Sequence, residues 1–468
     1  MCPRTGKGLK NFRLYYLNSY TKIMSVFNKK IFHGDSVIWG IYIVLCIISI
    51  IEVYSAASTL SYKTGDYLSA LIRQASFLGL GTLVLVLVHN IPCRYFKIVS
   101  VIGWPLILIL LFLTLFKGVD TNESSRWFGV FGIQFQPSEP AKGIVITAVA
   151  LILAVMQRED GADRKAIKYV LGVTLPVCML IVTENLSTAA ILFAVVFMMM
   201  IVGRVPVSQL LKLTGVMIAS VAVVIILGHT VFKGAPKDSV FHRFDTWSQR
   251  IDDFVGIRSA EADTLQIGAG GKRQEQVKKK FDLKENAQVG HASIAIASSN
   301  LVGLMPGNSV ERDFLSQAYS DFIYAIIIEE LGWLGGAFVA FLYVMLLFKT
   351  GRIASMCERN FPAFLAMGLA LLMATQACIN MMVAVGLFPV TGQPLPLISR
   401  GGTATLVTCA YFGMILSVSR YARKNQDEKS VSHLFASGRK NKDGEYTMDL
   451  HAENEPAPEA FEDDKGIM

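Results

Sequence analysis

The sequence predicts an all-α integral membrane protein with ten transmembrane helices, and three observations support this fold class. Of the 468 residues, 53% are hydrophobic and 17% are charged, and the mean hydropathy is +0.46. A soluble domain is closer to about one-quarter charged. The apolar residues form segments of about 20 residues, the length that crosses a bilayer as a helix. Basic residues collect in alternate loops, so the net charge of +8 indicates membrane topology and not nucleic-acid binding.

Ten apolar segments have, or approach, the length needed to cross a membrane. They cover residues 36–54, 70–89, 98–116, 139–157, 168–184, 186–202, 209–232, 321–348, 361–386 and 401–419. The fifth and sixth segments are short and almost continuous, so they could instead form one broken helix pair. Together these segments define a predicted membrane domain over residues 36–420.

The longest predicted loop, residues 233–320, joins the seventh and eighth helices on the extracytoplasmic side. Loops of this length are usually functional or disordered. Its stretch HASIAIASSNLVGL, residues 291–304, is apolar but too short to span a bilayer. We therefore expect a re-entrant or interfacial helix that packs on the bundle.

The charges of the short loops orient the predicted bundle in the membrane. Clusters of basic residues occupy alternate loops, at 94–97, 158–168, 204–212 and 349–359. Because basic loops stay in the cytoplasm, both termini are predicted to be cytoplasmic. The basic N-terminal tail, residues 1–35, precedes an apolar segment without a cleavage site, which is predicted to be an anchor. The polar C-terminal tail, residues 421–468, is predicted to be disordered.

Three acidic residues flank the apolar run at the start of the eighth predicted helix. Asp321 immediately precedes the run, and Glu329 and Glu330 follow it. Asp321 either caps the helix or acts as a general base at the mouth of an outer cavity. The glutamates lie about 12 Å deeper, and adjacent helical positions point about 100° apart, so we expect at most one to face a given partner. We expect both to serve packing or cavity hydration.

Basic residues near the outer surface form candidate anion sites. In QPSEPAK, residues 136–142, Glu139 lies within helical reach of Lys142, which indicates a local ion pair. Arg126 lies just upstream on the same side, so Arg126 and Lys142 together could instead receive an anion. In the long loop, Arg243 is either a solvated charge or a phosphate ligand, for which the fork of a guanidinium is suited.

A proline- and glycine-rich stretch, residues 380–402, joins the last two predicted helices. Prolines fix an irregular backbone, and glycines allow another group to approach closely. The stretch is therefore either a rigid connector or part of a binding site.

Four of these stretches resemble, in order, the motifs of the SEDS family (shape, elongation, division and sporulation), which includes FtsW, RodA and SpoVE. They are QPSEPAK, QVGHASIAIASSNLVGLMPGNS, YSDFIYAIIIEELGWLGG and NMMVAVGLFPVTGQPLPLISRGGTATL. The resemblance spans residues 36–420, and the wording of the motifs is closest to FtsW. The sequence departs from the family pattern at Ser299 and Asn300, where relatives carry glycines, and at Met305, which also replaces a glycine.

The resemblance implies a peptidoglycan glycosyltransferase, an inverting enzyme that polymerises lipid II into glycan strands. It would act at the outer face of the bacterial cytoplasmic (inner) membrane during cell division, at the septum. Implied partners are a class B penicillin-binding protein, which is the transpeptidase, and other divisome proteins. A divalent cation, Mg²⁺ or Mn²⁺, is a candidate cofactor, and no organic cofactor is expected.

The resemblance also implies roles for individual residues. Asp321 would be the general base that takes the proton of the acceptor hydroxyl. The implied substrate-binding residues are Arg126, Glu139, Lys142, Arg243, Gln288, His291, Ser399, Gly401 and Gly402. Three other functions stay open, namely a lipid II flippase, a division scaffold and a RodA-type polymerase of cell elongation.

Overall fold

The computed structural model describes residues 34–56, 69–117, 119–121, 124–130, 133–183, 185–230, 287–315 and 318–437. Most of the basic N-terminal tail, most of the long loop and the last part of the C-terminal tail therefore lie outside the described residues. Arg243 is among the residues outside.

Within these ranges the chain is mainly helical, as predicted. The helices are α1 (Ser36–Ala56), α2 (Ser69–Asn90), α3 (Phe96–Lys117), α4 (Ser138–Val155), α5 (Ala166–Val182), α6 (Leu186–Val202), α7 (Val207–Thr230), α8 (Ala287–Ser298), α9 (Ile323–Ser355), α10 (Asn360–Ala384) and α11 (Thr403–Ser437). Each of the ten predicted segments overlaps one of these helices.

Six helices of the described chain are long and apolar enough to cross a membrane: α1, α2, α3 with the turn before it, α4, α9 and α10. The helices α5 and α6 have 17 residues each and are apolar but shorter. They are separate helices, and the Asn185 side chain caps the start of α6 by accepting from the backbone N–H groups of Ser187 and Thr188. The count of ten spans stays a prediction.

Two small antiparallel sheets lie in loops that the prediction of an all-α chain left without structure. Strands β1 (Val119–Thr121), β2 (Ser124–Val130) and β3 (Ile133–Phe135) pair in sequence order between α3 and α4. Strands β4 (Gln157–Arg158) and β5 (Gly161–Ala162) form a hairpin after α4. Gly161 has φ +133°, and a Cβ there would lie 2.7 Å from the Arg204 carbonyl oxygen, so the hairpin requires glycine.

The last helix continues well beyond the predicted membrane segment. Helix α11 runs to Ser437, so the predicted disorder is wrong for residues 421–437. This stretch contains neither proline nor glycine, and nothing in it ends a helix that is already formed. Residues 438–468 lie outside the described chain.

Helix α4 lies at the centre of the bundle, where it contacts α3, α5, α6, α10 and α11. Its buried residues lie on all sides of the helix and include Ala141, Val145, Ile146 and Val149. A helix that is apolar all round belongs in a core or a membrane. The first turn of α4, with Glu139 and Lys142, is thereby placed inside the bundle.

Helix α9 is broken one third of the way along its length. Gly332 has φ +73° and ψ −177°, which are not helical values. Backbone N–H groups of Leu304 and Met305 donate to the carbonyls of Glu329 and Glu330 at 3.0 and 2.8 Å, which replaces helical bonds lost at the break. A Cβ at Gly303 would lie 2.3 Å from the Gly332 nitrogen, so the loop and the helix approach closely because both residues are glycine.

Candidate active site

Asp321 lies in the turn that leads into α9, and its side chain is half-buried. The Ser320 hydroxyl donates to Asp321 Oδ1 at 2.9 Å. Helix α9 begins at Ile323, two residues later than predicted, and its N-cap residue Phe322 makes no side-chain cap bond. The structure therefore places Asp321 ahead of the helix, as a residue that is only half-buried.

Three consecutive backbone carbonyls hold this turn in place. The carbonyl of Tyr319 accepts from the backbone N–H of Arg400 at 2.9 Å, and that of Ser320 accepts from the Ser399 hydroxyl at 2.6 Å. The carbonyl of Asp321 accepts from Asn380 Nδ2 at 2.9 Å. We call these three hydrogen bonds the carbonyl clamp. The clamp fixes the backbone that carries the Asp321 carboxylate.

The proline segment, defined here as residues 389–400, supplies two of the three clamp donors. Side chains of neighbouring helices donate hydrogen bonds to four of its backbone carbonyls, at 2.5–3.1 Å. The amides of Asn380 and Gln376 donate to the carbonyls of Gln393 and Pro394. The hydroxyls of Tyr343 and Ser49 donate to the carbonyls of Pro396 and Ile398. Each such bond contributes about 1 kcal/mol. The segment is therefore a rigid connector, which is one of the two interpretations of the sequence, and its role in binding a substrate stays a prediction.

Gly392 brings the proline segment close to the candidate base. It has φ +65°, and a Cβ at this position would lie 3.6 Å from Asp321 Oδ2. The adjacent Gln393 donates from Nε2 to the Thr188 hydroxyl at 2.9 Å, which ties the segment to α6. The absence of a side chain at Gly392 therefore lets the backbone of the proline segment approach the Asp321 carboxylate.

Lys142 and Glu139 form the predicted ion pair, with Nζ and Oε1 2.9 Å apart. Lys142 is fully buried, and its ammonium also donates to Gln376 Oε1 at 3.1 Å. The Tyr411 hydroxyl donates to the Glu139 carbonyl at 2.8 Å. Gln376 in turn donates to the Pro394 carbonyl, so the ion pair is linked through Gln376 to the proline segment. Contact between Lys142 and a substrate anion stays a prediction, and the ammonium is enclosed in this structure.

The other predicted site residues fall in different places. Arg126 lies on β2, in the loop before α4, and the position of its side chain is not described. Arg243 lies outside the described residues. Gly401 and Gly402 follow the clamp at the start of α11, and Gly402 has φ +50°. Their contacts with a substrate stay predictions.

Gln288 and His291 lie on α8, which packs against α9 and α10. His291 Nδ1 is 2.6 Å from Glu311 Oε2, and its ring stacks on Phe314 with centroids 5.3 Å apart. These contacts tie α8 to the loop before α9. A substrate-binding role for the two residues stays a prediction.

Glu329 and Glu330 fix the loop that precedes α9. Glu329 Oε1 accepts from the backbone N–H of Val310 at 2.9 Å, and its Oε2 accepts from the Ser309 hydroxyl. Glu330 Oε1 accepts from the Ser309 backbone N–H at 3.3 Å and from the Ser55 hydroxyl. The expectation that only one glutamate faces a given partner is wrong, because Ser309 presents two donors and lies between them. Their contacts are structural, as expected.

Several residues that hold the site were missed in the sequence, above all Gln376, Asn380 and Tyr411. A signal for the first two was present, because an amide inside an apolar helix is costly unless it has a partner. Within the described chain, no group of three or more His, Cys, Asp or Glu side chains is arranged to hold a metal ion.

Comparison with known proteins shows the family of this chain. Residues 35–424 match the family of cell cycle proteins that comprises FtsW, RodA and SpoVE. Stage V sporulation protein E of Bacillus subtilis (strain 168) is 28% identical over 388 residues, which cover 82% of this chain and 96% of that protein. The probable peptidoglycan glycosyltransferase FtsW of Enterococcus hirae is 28% identical over 415 residues, covering 87% of this chain and 96% of that protein.

A solved structure has the same fold. It is described as "Structural coordination of polymerization and crosslinking by a peptidoglycan synthase complex", and one of its chains superposes with a TM-score of 0.63 at 23% identity. The superposition covers 83% of this chain and 98% of that chain. With the apolar helices described above, these matches identify a multi-pass membrane protein, and the chain belongs to the FtsW/RodA/SpoVE family of cell cycle proteins.

Proposed function

We propose that this chain is a peptidoglycan glycosyltransferase that polymerises lipid II, with Asp321 as the general base. One observation carries the proposal: a half-buried carboxylate precedes α9, and the carbonyl clamp holds its backbone rigidly. A general base must be held in position within reach of the proton that it takes. Relatives over most of the chain, such as FtsW of Enterococcus hirae, are named for this activity.

The proposed reaction forms one glycosidic bond and breaks one bond to phosphate. The 4-hydroxyl oxygen of the acceptor sugar attacks C1 of the donor sugar, and the hydroxyl proton passes to the Asp321 carboxylate. The bond between C1 and the pyrophosphate breaks, and the pyrophosphate leaves with its lipid. Attack opposite the leaving group inverts the configuration at C1. A general base in such a step contributes about 10²–10⁴-fold to the rate.

The leaving pyrophosphate needs positive charge close to it. We assign this role to Arg126 and Arg243, whose guanidinium groups suit phosphate oxygens. Lys142 would reach a phosphate only if it exchanged its bond with Gln376 for one to the substrate. In the described conformation, Glu139 and Lys142 instead support the proline segment.

A divalent cation fits this site in one way. Mg²⁺ is often held by one or two carboxylates together with substrate phosphates, and Asp321 can supply one carboxylate. Ser320 and the clamp carbonyls already bond protein groups. When bound, such an ion would neutralise charge on the leaving pyrophosphate.

We place the activity in cell division, at the outer face of the cytoplasmic membrane at the septum, with both termini in the cytoplasm. The motif wording and the FtsW relatives favour division over elongation. The partner would be a class B penicillin-binding protein. The structural neighbour comes from a complex described as coordinating polymerization and crosslinking, and this favours such a pairing.

The flippase and scaffold readings receive no specific support from the site. A flippase would need hydrated acids along its path, but Glu329 and Glu330 are buried and bonded to the loop at Ser309. A scaffold would not need a rigidly held carboxylate beside a glycine.

The test of the proposed function is polymerisation of fluorescent lipid II by the purified full-length protein, with and without its transpeptidase. We expect glycan strands that a muramidase digests. In parallel, proteoliposomes that contain lipid II in one leaflet report translocation. Translocation without strand formation would contradict the proposal and favour the flippase, and neither activity in the presence of the partner would favour the scaffold.

A further inference from the structure

A basic cavity of about 760 Å³ lies at the end of the bundle opposite Asp321. Helix α4 begins beside the proline segment and ends at this cavity, whose lining includes Leu151 and Val155. The other walls are the turn between α2 and α3, the connection between α9 and α10, and the middle of α11. The cavity is therefore separate from the candidate active site.

Cationic side chains converge on this cavity from three separate parts of the chain. They are Arg94, Lys97, Arg359, Arg420 and Lys424, and Glu358 is the one acidic residue in the lining. Like charges within one cavity repel each other unless an anion is present.

Four of these cations make no ion pair with any carboxylate of the described chain. Arg94 lies over the Tyr95 ring at 4.9 Å, and Lys97 Nζ lies over the Phe361 ring at 5.4 Å. Arg420 donates to a backbone carbonyl, that of Asn90, at 3.2 Å. Arg359, which also lines the cavity, is the fourth cation without an ion pair to a described carboxylate. The contacts of Arg94, Lys97 and Arg420 position these cations without neutralising their charge.

Several of the other lining residues are apolar, and the apolar surface continues onto the adjacent face of α3. Leu151, Phe361 and Val155 line the cavity, and Val155 is 76% exposed. The adjacent face of α3 exposes Ile98 and Ile102. A ligand with a charged head and long apolar chains would match both parts, whereas a nucleotide or free phosphate would leave the apolar walls uncovered.

We propose that this cavity binds the headgroup of an anionic phospholipid. The phosphodiester lies among Arg94, Lys97 and Arg359, and the acyl chains run along α3 and the end of α4. Basic pockets between transmembrane helices are known sites for acidic headgroups. This site does not depend on the proposed glycosyltransferase activity.

The test measures phospholipid binding to the purified full-length protein by native mass spectrometry. After delipidation in detergent, the protein is titrated with phosphatidylglycerol and, separately, with phosphatidylcholine. The test variant carries Arg94→Gln, Lys97→Gln and Arg359→Gln. The matched control removes three exposed cations at the same end of the bundle that do not line the cavity: Arg164→Gln, Lys165→Gln and Lys168→Gln.

We expect the native protein and the control to bind phosphatidylglycerol in preference to phosphatidylcholine, and the test variant to bind it at least about tenfold more weakly. Equal weakening in both triple variants would overturn the proposal, because it would indicate attraction to the surface as a whole. Displacement of the lipid by equimolar glycerol phosphate would show that the site takes free phosphate and would overturn the lipid assignment.

Thermal unfolding of each variant checks that it is folded. If the triple variant is unstable, the single Lys97→Gln variant gives the same test with a smaller expected loss, about threefold to fivefold. An unchanged affinity in that folded variant, together with no preference for phosphatidylglycerol in the native protein, would refute the site.

Discussion

Replacing Asn380 by alanine should damage the carbonyl clamp without touching the carboxylate of Asp321. Asn380 Nδ2 donates to the Asp321 carbonyl at 2.9 Å and to the Gln393 carbonyl at 2.8 Å, and the side chain is fully buried. Two such bonds contribute about 2 kcal/mol. If the whole of this free energy is added to the activation barrier of the reaction, strand synthesis slows by about 30-fold.

The assay is the initial rate of lipid II polymerisation at saturating substrate, with the thermal unfolding midpoint measured on the same preparation. The control is Asn90→Ala, because Asn90 also donates from Nδ2 to a carbonyl, that of Val86 at 2.9 Å, but is exposed at the opposite end. We expect the control to keep the native rate. A folded Asn380→Ala protein that polymerises within about twofold of the native rate would refute the role of the clamp.

Three further predictions concern stability and reactivity. Gly303→Ala should destabilise the protein by more than about 2 kcal/mol, because its φ is +78° and the new Cβ would meet backbone at 2.3 Å. Gly79→Ala, with nothing within 4 Å, should not lower the unfolding midpoint, and equal effects of the two changes would contradict the close approach. Lys142→Met should lower the free energy of unfolding by about 3–5 kcal/mol, because it leaves the buried Glu139 carboxylate without its ion-pair partner. The double variant with Glu139→Gln should recover much of this in the same thermal assay, and no recovery would contradict the pairing. Burial, with a smaller contribution from the neighbouring Cys93 thiol, raises the pKa of the Cys357 thiol to about 12. At pH 8 it should therefore react with iodoacetamide far more slowly than in the unfolded chain, and equal rates would contradict that burial.

The helical fold was predictable because segment length and apolar composition depend only on local sequence. The pair of Glu139 and Lys142 was predictable for the same reason, since three residues along a helix bring side chains into contact. The continuation of α11 beyond residue 420 was missed because polar composition was taken to indicate disorder. A helix that extends from one already packed in the bundle needs no apolar face of its own.

The carbonyl clamp could not be predicted, because it joins backbone carbonyls at 319–321 to donors about 60 to 80 residues further along the chain. Such pairings depend on how helices pack, and spacing in the sequence does not encode them. Asn380 is the instructive case. Its amide lies in an apolar helix, which indicates that it has a partner, but only the fold shows that the partner is the turn carrying Asp321.

The most direct test of the central claim compares Asp321→Asn with Asp313→Asn in the lipid II polymerisation assay, at equal folding and equal complex yield with the transpeptidase. Asp313 lies in the same loop ahead of α9, and its side chain is exposed. If Asp321 is the general base, the first variant loses at least about 100-fold in rate and the second keeps the native rate. Strand synthesis by a folded Asp321→Asn protein at the native rate would contradict the assignment.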